Sequence, residues 1–364
     1  MIGAEPGQPA AGGTRRAWSA AAVAAALLVA GGPARAGGEY VQDRTFPQQG
    51  TFGFQNVSWM TRLPGTDLLF MVQRGTPAVS IWGQAGNFLA SWATDQLGDP
   101  HSIRFQTTPG GTTFAWVTDM APPNPAGTGF GHCLKRFTLS GVYQGSVGRC
   151  GQTSQGSGLD PVQFDKVTDV GFDRSGLMWV TDGDVSGLNN RVLSIEPATG
   201  VVRSVWSAPG NQPGTGEKEF NLPHAIAVDS CDRVYVADAL NHRVQIIRTD
   251  GTFLQELQCF GDLGVYGIAL RGQPLATSWR LWVSASTTTF TGVGTISGFD
   301  VSPTCSAPLP VPSGCRPAVQ WPMALPPGSS ASALHAIDAT DDGSAVFIAP
   351  LGGNLAPQRW DEVP

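Results

Sequence analysis

The sequence predicts an all-β fold, a six-bladed β-propeller closed on itself, and three observations lead there. First, one unit recurs on a common register: HSIRF at 101–105, TDVGFD at 168–173, HAIAVD at 224–229 and HAIDA at 335–339. Second, each copy is followed by a turn and another apolar run, WVTD at 116–119 and 179–182, YVAD at 235–238 and VFIA at 346–349. Third, these runs alternate apolar with polar residues between Asp-Gly turns, and no stretch carries a convincing helical period. Repeats of four short antiparallel strands read as propeller blades.

The elements follow in chain order. Residues 1–36 read as a secretory signal: Arg15 and Arg16 precede an apolar run from Ala17 to Ala30, and Ala34-Arg35-Ala36 supplies small residues for cleavage. The run is too short and too rich in alanine for a permanent span. No later apolar stretch approaches membrane length, so a secreted or extracytoplasmic protein, with no span in its mature chain, is expected. The propeller then occupies 37–364. Tyr40–Phe46 is expected to supply the last strand of the last blade and so close the ring. Blade one covers about 56–93, around LLFMVQRGTPAVSIW. Blades two, three, four and six open at His101, Thr168, His224 and His335. Blade five is less regular and covers about 265–303, with RLWVSAS and TISGFDV. In blade four the third and fourth strands are legible too, as Arg243–Ile247, the Thr249-Asp250-Gly251 turn, and Phe253–Leu257. Insertions near 120–131 and 303–320 lengthen their repeats.

Composition narrows the function classes. Charged residues make up 14%, net charge is −6 and basic clusters are lacking, which argues against nucleic acid or anionic lipid as partner. A monomer is expected. Six cysteines in an exported chain point to disulfides, and none forms a CxxC pair. Cys133 with Cys150 and Cys305 with Cys315 are nearest in sequence, but the spacing leaves the pairing open.

Strands of a blade run up and down, so the start of strand one and the link between strands two and three share a face. Strand one is innermost. His101, His224 and His335 are therefore expected at one mouth of the central channel. A single histidine suits a wet channel without any ligand; three in register outweigh that reading. Three neutral imidazoles with an open fourth position is the ligand count of catalytic zinc, a metal without redox chemistry to control. Arg74, in the loop facing the same mouth, is either a surface arginine or a planar clamp for a substrate carboxylate. Asp119, Asp182 and Asp238 end their second strands and read as turn formers; one of them, or Asp184, is the candidate base. His132 and His242 begin third strands and read as surface or packing residues.

PHAIAVD at 223–229 with VYVADALNHRVQIIRTDG at 234–251 is similar to the NHL repeat. The series from about 57 to 360 resembles the peptidyl-α-hydroxyglycine α-amidating lyases. It carries their QRG in the first blade, PH-S-I in the second, TDV…VTDG…NNR in the third, PHAIAVD…VADA in the fourth and HAI…DDG in the sixth. The resemblance implies a six-bladed propeller that holds zinc through three histidines and releases glyoxylate from a peptidyl-α-hydroxyglycine, leaving a peptide amide. It further implies His101, His224 and His335 as zinc ligands and Arg74 as the active-site arginine. A small peptide or N-acyl-α-hydroxyglycine would be the substrate.

The chain departs from that family at three positions. A tyrosine that the family places after the third blade's Asp-Gly is Asp184 here, and none of the four tyrosines falls nearby in the sequence. Its methionine two residues before the last histidine is Ala333, and its calcium-binding aspartate is Ala336. Asp184 or a metal-bound hydroxide is then the candidate base, and the basis for expecting calcium is removed. A second reading is a secreted NHL propeller that binds a peptide, glycan or protein without turnover. The missing tyrosine and methionine favour it; the retained Arg74 and three histidines oppose it. A zinc hydrolase of lactones or esters shares the ligand count but has no sequence-specific support.

Overall fold

A computed structural model of the chain describes residues 39–48, 50, 52–121, 131–151, 158–272, 279–289, 291–307, 310–311, 315–325 and 333–363. The expected signal at 1–36 and most of the 120–131 insertion lie outside these residues. Strand β1 (Glu39–Asp43) is the first element among the described residues, and five complete blades follow. Blade one holds β2 (Val57–Arg62), β3 (Leu68–Gln73), β4 (Val79–Gly83) and β5 (Phe88–Ser91). Blade two holds β6 (Pro100–Thr107), β7 (Thr113–Asp119), β8 (Cys133–Thr138) and β9 (Tyr143–Val147). Blade three holds β10 (Val167–Phe172), β11 (Met178–Asp182), β12 (Arg191–Ile195) and β13 (Val202–Ser207). Blade four holds β14 (Pro223–Val228), β15 (Arg233–Asp238), β16 (Arg243–Arg248) and β17 (Phe253–Leu257). Blade five holds β18 (Leu263–Arg271), β19 (Trp279–Thr287), β20 (Val293–Val301) and β21 (Val319–Ala324). Blade six takes β22 (Ala333–Ala339), β23 (Ala345–Leu351) and β24 (Gln358–Val363), with β1 added as its outermost strand.

Each sheet is antiparallel, and the six first strands touch one another in a closed circle, β2 to β6 and onward to β22 and back to β2. The expected six-bladed propeller is therefore the observed fold, and the expected closure by the early segment holds as well. Tyr40 secures that closure: its hydroxyl donates to the Gly343 carbonyl at 2.5 Å, and its ring stacks on Trp321 at 4.6 Å between centroids. The core lies between neighbouring sheets, where Trp82, Trp116, Trp179 and Trp282 are each at most 1% exposed. Strands such as β2 and β3 are buried at every position, because a different neighbouring blade covers each face of the sheet.

One boundary differs from the sequence-based expectation. Blade five does not end near 303; its fourth strand is Val319–Ala324, reached after the long insertion. That insertion is fastened back onto blade four by Cys231–Cys305 and Cys259–Cys315, so the neighbours Cys305 and Cys315 are not bonded to each other. Cys133 and Cys150 are paired within blade two. Gln255 reinforces the insertion, donating to the Val311 carbonyl and accepting its N–H.

One local device recurs in all six first strands. Each pairing with strand two slips by one residue at the same position, leaving Ser58, His101, Thr168, His224, Tyr266 and His335 as bulges. A bulged residue has no partner in the ladder, and the kink re-aims its side chain. Gly267 after the fifth bulge meets blade six so closely that a Cβ there would lie 2.9 Å from the Ala336 Cα.

Candidate metal centre

Around the ring the bulges alternate. Blades two, four and six present His101, His224 and His335; blades one, three and five present Ser58, Thr168 and Tyr266. Each histidine Nδ1 sits against the main-chain carbonyl of the next bulge: His101 on Thr168 at 2.8 Å, His224 on Tyr266 at 2.6 Å and His335 on Ser58 at 2.7 Å. A carbonyl can only accept, so Nδ1 carries the proton in each ring and Nε2 keeps its lone pair. In return, Ser58 Oγ donates to the Pro100 carbonyl at 2.8 Å, and Thr168 Oγ1 to that of Pro223 at 2.9 Å. These bonds run from blade to blade and aim the three imidazoles inward.

The three rings converge, with one ligating atom from each all lying within 4.8 Å of one another. His224 Nε2 and His335 Nε2 are 3.1 Å apart, and His101 Nε2 is buried without a hydrogen-bond partner. Lone pairs facing each other at such range are unfavourable unless an electron acceptor lies between them. Tetrahedral zinc, with Zn–N of roughly 2.0–2.1 Å, holds its nitrogens about 3.3 Å apart. The donor set therefore fits that metal. Burial holds His101 well below the usual histidine range, reinforced by the other two rings and by Arg74. His335 is lowered by burial, by His224 and by Arg74, and His224 is lowered by burial while Asp184 pulls it upward. Neutral imidazole is the form that binds metal.

Trp59 forms the floor. Its ring lies 5.8 Å from His101, 6.4 Å from His224 and 6.2 Å from His335, and it is fully buried. Arg104 stacks over the same indole at 4.9 Å. Three residues beyond His101 on β6, Arg104 lies about 10 Å further from the histidine mouth at the rise of a strand.

At the rim, Arg74 Nε lies 3.0 Å from Asp99 Oδ1, with about a third of each side chain exposed. Burial pushes the Asp99 carboxyl up, although Arg74 pulls it down. Asp184 is half-buried, and its charge reaches His224, Asp99 and Tyr266. Arg74, Asp184 and the three histidines thus share one mouth.

The aspartates ending the second strands differ from the expectation of local turn formers or a base. Asp119 takes Lys135 Nζ at 2.8 Å and the N–H groups of Gly98 and Asp99. Asp182 takes Arg191 Nε and the Asp165 N–H; Asp238 takes Arg243 Nε and the Asn221 N–H. All three are fully buried, and each ties the chain entering strand one to strands two and three. Their oxygens are committed, so none is available as a base. His132 and His242 fit their packing assignment: each holds a positive φ just before strand three, and Nδ1 meets the Lys166 N–H or the Leu263 carbonyl.

Sequence reasoning missed Tyr266. Its ring is 5.2 Å from that of His224 and 6.5 Å from that of His335. Burial, helped by Asp184, pushes its hydroxyl up to about 12. The signal was present: Val265-Tyr266-Gly267-Ile268-Ala269 aligns with Pro223-His224-Ala225-Ile226-Ala227.

Comparison with known proteins places the repeat type. The NHL repeat model matches residues 220–247. NHL repeat-containing protein 3 of Mus musculus is 33% identical over 186 residues, covering 50% of this chain and 49% of that protein. Its Homo sapiens counterpart is 32% identical over 186 residues with the same coverage. The chain spans about half the length of these curated relatives in the match. Among solved structures, a streptogramin B lyase superposes with a TM-score of 0.50 at 13% identity, covering 89% of this chain and 98% of that one. At such identity the likeness concerns the fold.

Proposed function

From an NHL-repeat propeller with three histidines converging at one channel mouth, we propose a zinc-dependent lyase that cleaves the C–N bond of a peptidyl-α-hydroxyglycine or an N-acyl-α-hydroxyglycine. The products would be an amide and glyoxylate. The observation that carries the reading is the trio of Nδ1-protonated imidazoles, with inward Nε2 atoms, beside the only partly covered guanidinium of Arg74.

His101, His224 and His335 would hold the zinc. Bound there, the metal would supply Lewis acidity towards the substrate hydroxyl. Arg74 would grip the glycine-derived carboxylate through the guanidinium edge that Asp99 leaves open. Asp184 would take the hydroxyl proton as the carbinolamide C–N bond breaks. The leaving amide nitrogen needs a proton, and the Tyr266 hydroxyl, kept protonated by its surroundings, would give it. Trp59 would keep water from entering the reaction space from below. An extracytoplasmic, monomeric protein with a small substrate belongs to the same reading. Three disulfides support that compartment, and no helix among the described residues is long and apolar enough to cross a membrane.

Metal analysis of the purified protein, paired with a glyoxylate assay on α-hydroxyhippurate, tests the proposal. The expected result is near-stoichiometric zinc and glyoxylate release, both lost in His224→Ala. Zinc-loaded protein that leaves the substrate intact would remove the lyase and leave a binding propeller.

A further inference from the structure

The channel has a second mouth, where the first strands end, and three arginines reach it. Arg62, Arg104 and Arg271 line a cavity of about 170 Å³, walled otherwise by residues such as Thr61, Phe172 and Val228. No acidic residue lines that cavity among the described residues. The carboxylates that hold the arginines stand behind them: Asp169 and Asp338 are fully buried. Arg104 meets Asp169 through Nε at 3.0 Å and Nη2 at 2.6 Å. Arg271 meets Asp338 through Nε at 2.6 Å and Nη2 at 2.5 Å, and Arg62 reaches Asp341. Backbone N–H groups complete both buried carboxylates, from Ile226 on Asp169 and from Arg62 and Ala339 on Asp338.

Each of these arginines therefore spends one edge on its aspartate and keeps another. Nη1 of Arg104 and of Arg271 meets no acceptor among the described residues. Arg62 Nε is buried with no partner, on a side chain only 7% exposed. Guanidinium donors confined in a small space call for an acceptor, and oxyanions match their planar fork. A single rim arginine would not make this case; three held in place from three blades do.

We propose that this far mouth binds a small oxyanion, of the phosphate or carboxylate class, through Arg62, Arg104 and Arg271. The site is independent of the chemistry at the histidine mouth, because Trp59, with Arg104 against it, stands between the two. The carboxylates behind the arginines fix the guanidiniums in advance, so binding orders no long side chain. That is the arrangement that favours affinity over mere charge attraction.

The test is calorimetric titration of the full-length protein with inorganic phosphate and, separately, acetate, against sodium chloride at matched ionic strength. Saturable one-to-one binding of at least one oxyanion is expected, weakened about tenfold or more in Arg271→Gln and in Arg104→Gln. His224→Ala should bind as the parent does, since its change lies at the other mouth. Arg271→Lys, which keeps the charge but loses the two-point fork, guards against a folding defect, with circular dichroism as the check. No saturable binding by the parent would overturn the proposal. So would binding that vanishes in His224→Ala yet survives in well-folded Arg271→Gln, because the anion would then sit at the histidine centre.

Discussion

Thr168 shows how one side chain can serve a neighbouring blade. It stands at the register where three other blades carry histidine, yet its carbonyl holds His101 and its hydroxyl holds the carbonyl before His224. Thr168→Val keeps the shape and removes the hydroxyl, leaving the Pro223 carbonyl short of its donor and the Thr181 hydroxyl short of a partner. A cost of about 1–2 kcal/mol in a denaturant titration is expected. Zinc affinity, read by chelator competition, should fall roughly tenfold as the Pro223 carbonyl beside His224 loses the bond that positions it. Trp59 acts differently, by filling space under all three rings. Trp59→Ala should cost about 3–5 kcal/mol, whereas Trp59→Phe should retain most of the stability; comparable losses in both variants would argue against a packing role. The histidines and Arg74 were legible as single residues because identical positions in a repeat face the same way. Tyr266 was harder to see, because its blade matches the repeat loosely and carries a tyrosine where the others carry histidine, threonine or serine; the bulge register makes its place in the ring plain.

Among the elements, the insertion between β20 and β21 stands apart from the repeat. Two disulfides and the Gln255–Val311 bonds bind it to blade four, so it works as a strap across a blade boundary. The pairs close sequence separations of 74 and 56 residues, which in the unfolded chain are costly to bring together. Replacing Cys231 and Cys305 together by serine should lower stability by about 2–5 kcal/mol, measured by denaturation under non-reducing conditions. Adding reductant should lower the parent towards the variant; a parent indifferent to reductant would show that the strap contributes little. The strands themselves were readable from alternation and turns. The fourth strand of blade five was not, because the insertion displaces it by a length that no periodicity encodes.

At the scale of the whole molecule, β1 closes the circle by completing the blade built from the other end of the chain. Register runs from Glu39 opposite Val363 to Asp43 opposite Arg359. Removing Glu39–Asp43 would bare the edge of β24 and the face of Trp321 that Tyr40 covers. A lower melting temperature and self-association on size exclusion are expected, since an exposed strand edge invites pairing. A truncated protein that elutes and melts like the parent would show that the ring holds without its closing strand.

What the sequence determined by itself was the repeat: an all-β ring of six blades, three histidines in one register, and an arginine loop on their side. Each of these is written locally, in spacing and alternation, and a ring multiplies local pattern into long-range position. Only the tertiary structure decided how those positions become a site. The bulges, the tautomer of each imidazole, Tyr266 among the histidines, the Trp59 floor and the pairing of the cysteines all depend on contacts between blades. Such contacts join residues scores of positions apart, and their energies come from packing and desolvation, which no short stretch of the chain records.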